Sequence, residues 1–228
     1  MTVNIAPALL GADPLDLLTA VERVQGSTAA YLHLDVMDGH YTNDINFGLR
    51  TIRAIREETP LVLDVHLQTL QPERYIDQLI EIGVHRVSMH VDASTGIEDA
   101  LKALQQAGVR KGLVLNPELP LTDLERYLDR LDYVILMTSR PGTSTFEPKV
   151  IAKIKELRRL LDHRLLDTVE IVADGGITDL TAPEVIDAGI DTLVAASAVF
   201  NSPDTDVVDA ITRLAGEHLH HPRGDDDR

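Results

Sequence analysis

Tyr31-Leu32-His33-Leu34-Asp35-Val36-Met37 alternates between polar and apolar side chains. Strand side chains point to opposite faces in turn, so Tyr31, His33, Asp35 and Met37 share one face and Leu32, Leu34 and Val36 the other. Leu63-Asp64-Val65-His66-Leu67-Gln68 repeats the pattern, with Asp64, His66 and Gln68 opposite Leu63, Val65 and Leu67. The apolar faces belong against helices. The polar faces then look into the interior of a curled sheet, where burial costs several kcal/mol unless the groups are paired or bound to something.

Working outward, short β-branched runs alternate with amphipathic helical stretches along the whole chain. Eight strands are predicted: Asn4–Leu10, Tyr31–Val36, Leu61–Leu67, Arg86–Val91, Lys111–Asn116, Tyr133–Thr138, Glu170–Asp174 and Thr192–Ser197. Helical stretches between them include Pro14–Gln25, Pro72–Ile82, Ile97–Ala107, Leu121–Leu131, Pro148–Leu161 and Leu180–Ala188. Asp13-Pro14 and Gln71-Pro72 read as helix starts, and Gly83, Gly108 and Gly189 follow helix ends. Strict βα alternation implies a parallel sheet with helices outside it. Eight such units in 228 residues predict an α/β protein with a single (β/α)8 TIM barrel over residues 1–217, followed by a polar tail over 218–228. An open doubly wound sheet is the alternative, weakened because no GxGxxG follows the first strand.

The chain has no cysteine, which excludes disulfides, thiolate zinc sites and thiol catalysis, so any metal must be held by His, Asp or Glu. A formal net charge of -16 argues against nucleic acid and anionic membrane surfaces as partners. A small phosphorylated substrate stays possible, because backbone amides can hold one phosphate locally. No basic stretch followed by an apolar run opens the sequence and no run of about 18 apolar residues occurs, so a cytoplasmic protein is expected.

In this architecture the C-terminal strand ends carry the active site. His33, Asp35 and His66 fall near such ends, and Asp174-Gly175-Gly176 closes another strand. Two His and two Asp converging from three strands form a ligand set for a divalent metal, zinc first, with manganese, iron or cobalt also suited. Each alone has a blander reading, His as a hydrogen-bonded core residue and Asp as a helix cap. Four at matching depth favour a shared site. His90 is read as an inward partner of a ligand, and His40 as a loop residue near the mouth.

These residues carry a resemblance. His33-Leu34-Asp35-Val36-Met37-Asp38-Gly39-His40 and Leu63-Asp64-Val65-His66-Leu67, with Ile5–Asp13, Leu115-Asn116-Pro117, Ala173–Ile177 and Val194–Phe200, resemble the ribulose-phosphate 3-epimerase family over nearly the whole chain. The resemblance implies a metal-dependent isomerase, an epimerase of carbohydrate metabolism that inverts the carbinol carbon beside the ketone of a phosphorylated ketose through a cis-enediolate. It implies His33, Asp35, His66 and Asp174 as metal ligands and Asp35 and Asp174 as the acid/base pair. It also implies substrate contacts at Ala8, Met37, His66, Met137, Gly142, Thr143, Ser144, Gly175, Gly176, Ala196 and Ser197, and a homo-oligomer.

The sequence departs from the family pattern. Ala8 stands where the family usually has Ser, Gln68 where it has Met, and Ala196 where it has Gly. The loop Pro141–Phe146 is shorter than the family's Gly-rich loop. The substrate can therefore be ribulose 5-phosphate, xylulose 5-phosphate or a related ketose phosphate. Another enediolate-type isomerase, an aldolase or a decarboxylase is a competing reading. The absence of Lys between Asp35 and Asp38, and the place of Lys111 at a strand start, count against the last two. A non-catalytic sugar-phosphate sensor would be favoured by loss of a ligand, and none is lost.

Overall fold

The period-two runs form strands in a computed structural model that describes residues 3–201 and 206–216. The expected tail, 218–228, lies outside the described residues. The strands are β1 (Asn4–Pro7), β2 (Leu32–Asp38), β3 (Ile45–Asn46), β4 (Leu63–Gln68), β5 (Arg86–His90), β6 (Arg110–Leu115), β7 (Tyr133–Met137), β8 (Glu170–Asp174) and β9 (Thr192–Ala195). They lie in the order β1-β9-β8-β7-β6-β5-β4-β2-β3. All neighbours pair in parallel except β2 and β3, where Met37 faces Asn46 and Asp38 faces Ile45 antiparallel. The sheet curls until its parallel edges meet at a bridge between Ala8 and His33, and the Ala30 N–H donates to Ile5 O at 3.0 Å. The result is a (β/α)8 barrel with β3 as an added arm on β2.

Helices α1 (Leu17–Gln25), α2 (Leu49–Glu58), α3 (Ile76–Ile82), α4 (Ile97–Gln106), α5 (Thr122–Glu125), α6 (Val150–His163), α7 (Ala182–Asp187), α8 (Ser197–Phe200) and α9 (Val207–Gly216) follow the strands. In α4 the buried Ile97, Ala100, Leu101 and Leu104 form one stripe at helical spacing. Leu32, Leu34, Leu63, Val65 and Leu67 meet the helix layer, as their alternation predicts. A smaller cluster of Ala6, Ala8, Tyr133, Ile135, Met137, Val172 and Val194 fills the barrel interior. Gly112 makes room for it, since a Cβ there would collide with the Tyr133 ring.

Several expected boundaries move. The first strand stops at Pro7 because Leu9–Gly11 winds into a 3-10 turn, with Gly11 N–H donating to Ala8 O. The last strand stops at Ala195, and Ser197 opens α8. The helix expected from Pro14 starts at Leu17, because the Asp13 carboxylate accepts the Leu15 N–H and holds a turn there. Gln71 does not cap by its side chain and instead takes a left-handed conformation, φ 52°. Leu121–Leu131 keeps its apolar spacing, but Tyr127 N–H and Arg130 N–H donate three residues back, so α5 is followed by a 3-10 turn at Leu128–Arg130.

Candidate active site and metal centre

Strand register brings the site together. Asp35 on β2 lies beside His66 on β4, and His33 beside Asp64. Across the interior, Asp174 ends β8 and meets both histidines. His33 Nε2 is 3.4 Å from Asp35 Oδ1 and 3.5 Å from Asp174 Oδ2, while His66 Nδ1 is 3.4 Å and 3.1 Å from the same two oxygens. One donor atom from each of the four residues lies within 4.8 Å of the others, and all four side chains are buried.

A divalent ion fits this donor set. Ligand atoms roughly 2.0–2.2 Å from a tetrahedral zinc lie roughly 3.3–3.6 Å from one another, close to the spacing found here. His33 Nε2 is buried without a hydrogen-bond partner. Its other nitrogen is 2.8 Å from Asp64 Oδ2, the carboxylate–histidine arrangement that presents the free nitrogen to a metal. Burial disfavours the charged form of His33, yet the Asp35, Asp174 and Asp64 carboxylates raise its pKa well above the ordinary value. Burial likewise disfavours His66 cations, and Asp174 and Asp35 raise its pKa. Desolvation pushes Asp35 and Asp174 upward, and the two imidazoles overcome it, leaving both carboxyls below their usual range. The cluster attracts positive charge, whether protons or a metal.

Further residues hold the ligands. Asp64 also accepts from Arg86 Nε at 3.2 Å and from the Tyr133 hydroxyl at 2.9 Å. Gln68 Nε2 donates to Asp35 Oδ1 at 2.9 Å, while its Oε1 is buried and unpaired. His66 Nε2 meets His90 Nε2 at 2.9 Å, which makes His90 an inward partner of a candidate ligand. Desolvation and the neighbouring His66 hold His90 well below the ordinary pKa, so its ring is neutral. His40 lies in the exposed loop, where its Nδ1 meets Asp38 O. Asp38 anchors that loop by accepting the His40, Tyr41 and Leu70 N–H groups.

A cavity of about 680 Å³ opens above the two carboxylates. Ala8, Met37 and Gln68 line one side and Met137 another. Gly142, Thr143 and Ser144 of the loop after β7 cover it, and Gly175, Gly176, Ala196 and Ser197 form the far wall. His33 and His66 lie beneath this surface, fully buried. Gly176, φ 65°, lets the loop sit close, since a Cβ there would meet Ser144 O and Phe146 N. A second cavity, about 560 Å³, lies at the opposite end beside Tyr31, Arg86 and Glu170, away from the paired carboxylates. Tyr41, Asp92, Asn116 and Arg86 were not predicted as site residues. Asn116 sits in a stretch that carries the resemblance, but no spacing rule marks Tyr41, whose ring packs on His90 with 4.6 Å between centroids, or Asp92, which accepts from the Tyr41 hydroxyl.

The sequence profile of the ribulose-phosphate 3 epimerase family matches residues 4–200. The chain belongs to the ribulose-phosphate 3-epimerase family. The ribulose-phosphate 3-epimerase of Bacillus subtilis (strain 168) is 38% identical over 204 residues, covering 89% of this chain and 94% of that protein. The Rhodobacter capsulatus ribulose-phosphate 3-epimerase is 35% identical over 200 residues, 87% of this chain and 86% of the relative. Among solved structures, a mutant tryptophan synthase alpha-subunit from Pyrococcus furiosus superposes with a TM-score of 0.68 at 11% identity, covering 94% of this chain and 98% of that one. Thiamine phosphate pyrophosphorylase from Pyrococcus furiosus gives 0.64 at 16% identity, with 93% of each chain covered. These distant structures share the fold with the epimerase family. No helix among the described residues is long and apolar enough to cross a membrane.

Proposed function

We propose that this chain is a ribulose-phosphate 3-epimerase, inverting C3 between ribulose 5-phosphate and xylulose 5-phosphate. The observation that carries this is the meeting of Asp35 and Asp174 at the cavity floor, both bracketed by His33 and His66. A proton beside a ketone is a weak acid, and a positioned carboxylate can remove it. Asp35 and Asp174 act as the pair, one taking the C3 proton and the other returning one from the opposite face. His33 through Nε2, His66 through Nδ1 and the two carboxylates would hold the metal, zinc first among divalent ions, with manganese, iron or cobalt also suited. When bound, it supplies positive charge against the ketone and neighbouring hydroxyl oxygens as negative charge develops there.

The remaining residues orient the sugar. Met37 and Met137 give an apolar wall beside the reacting carbon. Gly175-Gly176 and Ala196-Ser197 face the phosphate end, with Gly142, Thr143 and Ser144 covering it. Ala8 leaves space on the remaining side. Barrels of this kind often hold a phosphate at the ends of their last two strands. Family membership also supports a homo-oligomer, checked by sedimentation, and a cytoplasmic location, checked by fractionation.

The test is proton NMR in D₂O on metal-loaded protein offered ketose phosphates and their free sugars. Inversion with deuterium entering at C3 of ribulose 5-phosphate is expected. Exchange with free sugars alone would remove the phosphate assignment, and no exchange with any ketose would overturn the epimerase reading.

A further inference from the structure

Gln68 ends β4, two residues beyond His66 on the same inward face and in register with Met37. It is 3% exposed and lines the cavity beside Asp35. Its amide nitrogen donates to Asp35 Oδ1 at 2.9 Å, while the next neighbour of that nitrogen, His66 Nδ1, is 3.5 Å away. An ionised carboxylate can only accept, so the carboxamide must turn its nitrogen to Asp35 and its oxygen away. That oxygen is buried without a partner. Burying an unpaired oxygen works against the fold, so stability gains little from a carboxamide here. A Met or Leu side chain would fill the space with no hydrogen to donate.

The consequence lies in the rotation of the Asp35 side chain. Oδ1 is 3.4 Å from His33 Nε2 and 3.4 Å from His66 Nδ1, and Gln68 meets the same oxygen. His33, His66 and Gln68 thus converge on Oδ1, and Oδ2 has no hydrogen-bond partner among the described residues. Oδ2 is not sealed in the interior as Gln68 Oε1 is, so it is the oxygen that Asp35 turns to the cavity it lines. Asp174 differs. Its Oδ2 faces both histidines, 3.5 Å from His33 Nε2 and 3.1 Å from His66 Nδ1, and no side-chain amide among the described residues holds it there.

We propose that Gln68 is a positioning residue whose amide fixes the rotation of the Asp35 carboxylate, committing Oδ1 to the metal centre and Oδ2 to the C3 proton of the sugar. The proposal rests on the reading of Asp35 as ligand and base given above. The hydrogen bond from Gln68, and the sides that the two oxygens face, do not rest on it.

The test compares wild type with Gln68→Met and Gln68→Leu, which both remove the donor and keep an apolar side chain in its place. With zinc bound and ribulose 5-phosphate as substrate, kcat is expected to fall about tenfold in both while KM holds, a split that a loosened fold would not give. Zinc affinity by chelator competition should also fall about tenfold. A third readout needs neither metal nor substrate. In ¹⁵N-labelled metal-free protein the Gln68 side-chain amide is the signal absent from Gln68→Met. One of its two hydrogens should lie downfield, as expected for a bond to a carboxylate, and move upfield in Asp35→Ala. Unchanged kcat and zinc affinity in both variants, or a raised KM with kcat kept, would overturn the proposal. A wild type that neither binds zinc nor exchanges the C3 proton would instead overturn the ligand and base reading itself, and the amide signal would still decide whether Gln68 fixes Asp35.

Discussion

At the lower end of the barrel interior, Arg86 is buried between the rings of Tyr31 and Tyr133 and pairs with Asp64 and Glu170. Two residues further along β4, at the mouth, His66 meets Asp35 and Asp174, and among the described residues no Arg or Lys lines the cavity there. Both ends bury charge, and they resolve it differently. At the lower end the Glu170 carboxylate accepts from Arg86, Tyr31 and Thr192, so every charge has its partner within the chain. At the mouth, lone pairs converge and His33 Nε2 stays unpaired. A buried network that closes on itself holds a fold together, while one left open awaits an ion or a substrate. Asp64 joins the two, holding Arg86 with one oxygen and His33 with the other.

Substitutions should separate the ends. Asp174→Asn removes one carboxylate of the mouth and should slow C3 proton exchange by about 10²–10⁴-fold, with the metal-free protein still folded by circular dichroism. Retained exchange in deuterium-labelled water would end the two-carboxylate scheme. Arg86→Met leaves Asp64 buried without its arginine and Glu170 with only the exposed Arg110, and should cost about 3–5 kcal/mol in urea unfolding. Exchange per folded molecule should stay within about tenfold of wild type. If it vanished while the protein stayed folded, the lower network would belong to the chemistry.

Acid sharpens the contrast. Burial would raise the Asp64 carboxyl, but the Arg86 charge and the His33 hydrogen bond hold it well below the usual range. A carboxyl depressed in the folded state adds stability that is complete above its unfolded value, about 3.9, and is lost as pH falls through the folded one. The metal-free wild type should therefore lose stability steeply below about pH 4, and Asp64→Asn should flatten that limb in urea midpoints taken across it. An unchanged slope would show that Asp64 is not depressed. The smallest effect is expected from Gln68→Met, which removes a donor to Asp35 together with an unpaired buried oxygen. The two losses oppose each other, so stability should shift by less than about 1 kcal/mol, read by thermal unfolding. A loss of several kcal/mol would mean that the carboxamide has a structural role.

The barrel was legible because alternation is a local property. His33, Asp35, Asp64, His66 and Gln68 share an inward face by the geometry of a strand, and the buried Leu and Val partners confirm which face is outward. The arm at β3 was not legible, since two residues leave no periodic signal. Helix α2 was also not singled out, because its buried Ile52 and Ile55 sit among six charged or polar positions that blur the stripe. The α5 segment misled because apolar spacing fits a 3-10 turn and a short α-helix alike.

By itself the sequence determined the fold class, the inward strand faces and the four residues that meet at the mouth, because those follow from side-chain period and strand order. Tertiary structure alone decided that strand register sets Asp35 beside His66 and His33 beside Asp64, and that Gln68 reaches Asp35. It also decided that Asp92 and Asn116, 51 and 75 residues from Tyr41 in the chain, both meet the Tyr41 hydroxyl. Such contacts depend on how far the sheet curls and on which loops return over its rim, and neither is encoded in any local spacing.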